Sequence, residues 1–134
     1  MPSETFSYNK TLGERTIAAG YKEAKIYSNG LGGGICQISS TLYNAVLMSN
    51  LEIVERRNHQ FVTSYLPAGR DATVVYGLTD FKFKNSRKYP VKINAGVQNG
   101  IERFQYMELK KNKNILFLLK QEQLQLFLLH KVYR

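Results

Sequence analysis

One segment carries uninterrupted helical periodicity. From Ile35 to Ser49 the positions Ile35, Ile38, Leu42, Ala45, Val46 and Ser49 recur three or four residues apart, all but the last apolar, the stripe that an amphipathic helix buries. Asn50 supplies its stop. Beyond it the period shortens to two. Leu51 to Glu55 alternates as a strand; Phe61–Leu66, closed by Pro67-Ala68-Gly69, and Ala72–Tyr76, ending at Gly77, are two more candidates. Phe81-Lys82-Phe83-Lys84 sets rings on one face and amines on the other. Tyr89–Ala95 makes a fifth strand, with Pro90 near its start, where a missing N–H is tolerated. Upstream, residues 4–10 read as a short extended piece, Thr16–Ala19 as one helical turn and Ser28-Asn29-Gly30 as a turn. Closely spaced strands predict an antiparallel β meander, and one main helix (about 35–49) packed on it predicts an α+β fold.

At 134 residues the chain has room for one domain. Its hydrophobic content of 43% and charged content of 22% argue against wholesale disorder. Nineteen basic residues against ten acidic ones give a net charge of +9, which draws the protein to polyanions: nucleic acid, anionic lipid or an anionic cell wall. The charge is spread along the chain, with no stripe of arginine and lysine interleaved with stacking rings, so nucleic acid is not an expected partner. Met1 to Lys10 lacks an apolar signal region. The longest apolar runs, Ile115–Leu119 and Leu126–Leu129, are far short of the ~20 residues of a membrane span. If the protein works outside the cell, additional sequence upstream is expected. A single cysteine excludes an intrachain disulfide, and with only two histidines no metal site or cofactor is expected.

That cysteine sits where its position matters. In Gly32-Gly33-Gly34-Ile35-Cys36-Gln37 it falls in the first turn of the predicted helix, behind a glycine loop. The first amides of a helix lack internal partners and carry partial positive charge. A thiolate there is stabilised, and the free amides can hold a developing oxyanion. Two readings fit: a nucleophile, or a small buried side chain beside an ordinary loop. A nucleophile needs a base. His59, in Arg56-Arg57-Asn58-His59-Gln60, is the only histidine in the well-patterned part of the chain; it is that base or a solvated loop residue. A third group would orient the imidazole, and Asp71 and, alternatively, Asp80 qualify, each also readable as a turn carboxylate. His130 lies in the tail and carries little weight.

These residues resemble the VanW family of bacterial cell-envelope proteins. The match runs from Phe6 to about Val97: Phe6-Ser7-Tyr8-Asn9, Gly13-Glu14-Arg15-Thr16, Gly20-Tyr21-Lys22-Glu23-Ala24, the stretch Gly32 to Ala45, Glu55-Arg56, His59, Tyr65-Leu66-Pro67, Gly69 to Val74, and Asp80 to Asn85. The resemblance implies a cysteine-dependent peptidoglycan L,D-transpeptidase-type acyltransferase linked to glycopeptide resistance, at the cell surface or the extracellular side of the membrane, with peptidoglycan stem peptides as partners. Carried over, Cys36 is the nucleophile; on chemical grounds His59 is assigned as its base and Asp71 (or Asp80) as the orienting carboxylate. Gly33, Gly34, Gln37, Ser39 and Arg70 are the candidate substrate or oxyanion residues. The order Cys, His, Asp is transglutaminase-like by analogy. The alternatives are a non-catalytic cell-wall-binding module and a non-functional remnant.

Two departures from the family pattern stand out. Only Leu31 separates Asn29-Gly30 from the glycine run, a shortened loop. The end also differs: Arg103-Phe104-Gln105-Tyr106-Met107-Glu108-Leu109-Lys110 stands where the family has a strand finishing on Ile-Tyr-Gly. One coding of this stretch, read in the neighbouring frame, gives Thr-Ile-Ser-Ile-Tyr-Gly-Ile-Lys. The expectation is therefore a partial VanW-like domain over 1–100 and an atypical tail over 101–134, frameshifted near Ile101–Arg103, helical by propensity, detached from the domain and leaving it without its last strand.

Overall fold

The computed structural model describes residues 1–21, 23–25, 29–31, 34–63, 66–99 and 101–108. The elements in order are β1 (Thr5–Ser7), α1 (Tyr8–Leu12), β2 (Glu23–Lys25), β3 (Asn29–Leu31), α2 (Ile35–Met48), β4 (Glu52–Glu55), β5 (Lys82–Lys84), β6 (Val91–Gln98) and β7 (Ile101–Glu108). Every strand pair is antiparallel. The fold is thus mixed helix and sheet, with α2 as predicted.

The expected meander is not formed. The strands sort into three sheets, ordered β1-β5-β4, β2-β3 and β6-β7, so the first sheet pairs segments far apart in sequence. Neither 61–63 nor 72–74 is a strand. Phe61 and Val62 are 84% and 87% exposed and bury nothing that would hold a strand. Residues 72–74 alternate apolar and polar, but other groups occupy the backbone of 70–73. Ser39 Oγ donates to the Ala72 carbonyl at 2.6 Å, the Ala72 amide donates to Ser40 Oγ at 2.9 Å, Asn44 Nδ2 donates to the Arg70 carbonyl at 2.7 Å, and the Thr73 amide donates to the Arg57 carbonyl at 2.8 Å. Backbone polar groups need one set of partners; side chains of α2 take those of Arg70 and Ala72, and the Arg57 carbonyl takes the Thr73 amide, so no regular ladder forms.

This explains an odd feature of α2. Its buried residues include Leu42, Tyr43 and Val46, as the apolar stripe requires, but also Ser39, Ser40 and Asn44. The helix has one apolar face toward the core and one polar face clamped to 70–72. Upstream, the extended piece ends early because Ser7 caps a helix: its Oγ accepts from the Lys10 amide at 3.1 Å, satisfying one free donor of α1.

The core is an aromatic chain. Phe6 stacks on Phe83 with centroids 4.8 Å apart, Phe83 lies 5.7 Å from Phe81, and Phe81 meets Tyr43 of α2 edge-on at 5.6 Å. Tyr106 of β7 meets Phe83 edge-on at 6.1 Å. Such pairs add roughly 0.5–1.5 kcal/mol each beyond burial.

The tail expectation is corrected at its start. Ile101–Glu108 is not detached: it pairs with β6 along the whole strand, from Gln98 opposite Ile101 to Val91 opposite Glu108. Alternation then turns Phe104 and Tyr106 into the core. Three buried side-chain polar atoms find no partner among the described residues, and all three belong to this strand: Glu102 Oε2, Arg103 Nε and Tyr106 OH. Residues 109–134, with the expected helix and His130, lie outside the described residues.

Candidate active site

Cys36 is the second residue of α2, half-buried. Gly34 caps the helix in the left-handed region (φ 98°), and no side chain caps the first turn. A residue with a Cβ is strained at that φ, and glycine brings no side chain of its own to cap the first amides of the helix. Gln37 lies in the same turn; its carbonyl accepts from Thr41 Oγ1 at 2.9 Å. Gly33 lies outside the described residues.

The segment 71–74 runs past the thiol. Cys36 Sγ is 3.7 Å from Thr73 Oγ1 and donates to the Val74 carbonyl at 3.6 Å. Two residues back, Asp71 meets His59. The Asp71 Oδ2 oxygen lies 2.6 Å from His59 Nδ1 and accepts from the His59 amide, also at 2.6 Å. Two residues of chain span no more than about 7 Å, so His59 and Cys36 hang on neighbouring points of one short segment.

Arg56 holds the carboxylate from its other side. Its Nε donates to the Asp71 carbonyl at 2.7 Å and a terminal nitrogen reaches Asp71 Oδ1 at 3.1 Å. Its guanidinium lies over the Tyr43 ring, 5.0 Å from the centroid, which ties the pair to α2. Burial pushes the Asp71 carboxyl upward, but the hydrogen bonds from the His59 amide and ring outweigh this and hold it below the usual carboxylate range. Asp71 is therefore an ionised anchor at neutral pH, suited to fix the ring through Nδ1.

The remaining candidates take other places. Asp80 accepts from Ser7 Oγ at 2.5 Å and from the amides of Asn9 and Phe81, both at 2.8 Å, so it joins β1 and α1 to the approach to β5 and is not beside His59. Ser39 is fully buried, its hydroxyl on the Ala72 carbonyl. Arg70 Nε donates to Asn44 Oδ1. Sequence reasoning did not reach Arg56, Thr73, Ser40 or Asn44. Arg56, three residues before His59 in a segment rich in cations, carried the only available signal. Among the described residues no helix is long and apolar enough to cross a membrane, and no cluster of three or more His, Cys, Asp or Glu residues could hold a metal ion.

A family model described as VanW like protein matches residues 1–107, and the chain belongs to that family. The match includes the thiol, the His59–Asp71 pair and strand β7 as far as Met107. The chain is 50% identical over 99 residues to the Uncharacterized protein YoaR of Bacillus subtilis (strain 168), covering 70% of this chain and 33% of that protein. It is 32% identical over 96 residues to the Vancomycin B-type resistance protein VanW of Enterococcus faecalis (strain ATCC 700802 / V583), covering 63% of this chain and 34% of that protein. The chain thus spans about a third of the length of the curated relatives it matches. No solved structure matches it.

Proposed function

We propose that this domain is a cysteine acyltransferase of the L,D-transpeptidase type. It would act on peptidoglycan stem peptides at the outer face of the cell envelope, in a role tied to glycopeptide resistance, as the name of the Enterococcus relative suggests. The observation that carries the reading is the short segment with an imidazole–carboxylate pair at Asp71 and the thiol at Thr73 and Val74. Cys, His and Asp in this chain order, with the cysteine at a helix start, parallel the transglutaminase-like arrangement.

His59 takes the thiol proton, and the thiolate attacks a backbone carbonyl of the donor peptide. The first amides of α2, which Gly34 does not cap with a side chain, support the oxyanion. The C–N bond breaks, His59 returns the proton to the leaving amine, and a thioester remains on Cys36. An amine of a second stem peptide then attacks the thioester, gives a proton to His59 and forms the cross-link as the thiolate leaves. The net +9 charge favours residence on an anionic wall. The test is mass spectrometry of a donor tetrapeptide with an acceptor stem peptide. Wild type should yield the cross-linked dimer, and Cys36→Ala and His59→Ala should lose it. Peptide binding with no product from folded wild type would favour a wall-binding module instead.

A further inference from the structure

The motif Gly13-Glu14-Arg15-Thr16 takes no part in the chemistry above, yet Arg15 is built into a clamp beside it. Its guanidinium packs over two rings, 5.8 Å from the Tyr8 centroid and 5.6 Å from that of Tyr76. One terminal nitrogen donates to the Gly13 carbonyl at 3.0 Å and the other to Asn9 Oδ1 at 2.7 Å. Asn9 is itself fixed, donating through Nδ2 to the carbonyls of Thr79 at 2.8 Å and Val75 at 3.3 Å. All these partners are neutral. Arg56 and Lys82 have carboxylates, but Arg15 forms no ion pair among the described residues. Ordering an arginine this way costs side-chain entropy, and a planar fork of donors suits a carboxylate.

The clamp and the thiol share two short bridges. Tyr8 OH donates to the carbonyl of Ile35, the residue before Cys36, at 3.3 Å. Tyr76 is two residues beyond Val74, whose carbonyl accepts from Cys36 Sγ. Thus His59, Cys36 and Arg15 meet the chain in order at Asp71, Thr73–Val74 and Tyr76. A donor peptide attacked at the carbonyl before its last residue would carry its free carboxylate about 7 Å from the sulfur, one residue beyond the attacked bond.

We infer that Arg15, clamped by Tyr8 and Tyr76, binds the free C-terminal carboxylate of the donor peptide and so selects donors in which one residue follows the scissile bond. The inference rests on the acyltransferase reading for its substrate but is tested by binding alone. The full chain carrying Cys36→Ala is titrated by NMR with an N-acetylated stem tetrapeptide ending in a free D-alanine carboxylate, and with the same peptide as its C-terminal amide. The free acid should bind at least tenfold more tightly. Arg15→Gln in that background should bind both peptides as weakly as the amide, and Arg15→Lys should regain part of the preference. If Arg15→Gln does not fold, Tyr76→Leu replaces it: Tyr76 is 49% exposed, and its loss should cut the preference several-fold. Equal binding of acid and amide, an unchanged preference in these variants, or no binding of either peptide would overturn the inference. A clear preference alongside a wild type that never forms a thioester would leave the carboxylate site standing and remove the acyltransferase reading.

Discussion

Glu102 offers a sharp test of the packing around β7. It is 5% exposed, its Oε2 has no partner among the described residues, and burial pushes its carboxyl from 4.5 up to about 7. In the unfolded chain it titrates near the ordinary value. Between about pH 4.5 and 7 the folded protein therefore holds a proton that the unfolded chain has lost, so stability falls as pH rises through this window. At about 1.4 kcal/mol per unit, the loss amounts to about 3 kcal/mol by pH 8. Glu102→Gln keeps the shape and removes the ionisation. Urea denaturation from pH 5 to pH 8 should show wild type and variant alike within about 1 kcal/mol at pH 5, and the variant more stable by about 3 kcal/mol at pH 8. In melting temperature this is on the order of 10 °C or more. Titrations common to both proteins cancel in the difference. Parallel pH profiles for the two proteins would refute the reasoning and place Glu102 in water.

Three further outcomes follow from the same structure. Tyr106→Phe removes a buried hydroxyl without a partner while keeping the edge contact with Phe83; it should stabilise the protein by about 1–2 kcal/mol in urea. Recoding β7 to the neighbouring frame, as Arg103→Thr, Phe104→Ile, Gln105→Ser, Tyr106→Ile, Met107→Tyr and Glu108→Gly, should raise the melting temperature, because it removes two of the three unpaired buried polar atoms; a lower melting temperature would mean that β7 is at home in its present sequence. Truncation after Gly100 should abolish cooperative melting, since it deletes the partner of β6 and the Phe104 and Tyr106 rings.

What was legible in the sequence follows from where the partners come from. Helix α2 declared itself because its apolar stripe is local. The 70–74 segment did not, because its backbone is held by Ser39, Ser40 and Asn44, residues whose spacing suggests only a polar side of a helix. The hairpin β6-β7 had a local signal in Asn99-Gly100, with Asn99 at φ 52°, but the missing Ile-Tyr-Gly ending drew the eye from the alternation of Phe104 and Tyr106. At the site, the chemical types were legible and their pairing was not. Asp71 and Asp80 look equivalent in sequence, and only the fold puts one beside His59 and the other on Ser7 and Asn9. Arg15 was visible only as part of a motif, because its clamp draws on Tyr76, sixty-one positions away.

The central claim is that Cys36 carries the acyl group. Wild type mixed with a donor tetrapeptide, quenched in acid and analysed by intact mass and peptide mapping, should show one adduct on Cys36, a mass gain equal to the peptide less the free amino acid it releases. Hydroxylamine should release it, and Cys36→Ala should show none. Folded wild type that binds the peptide but never gains this mass, or gains it at a residue other than Cys36, would contradict the account.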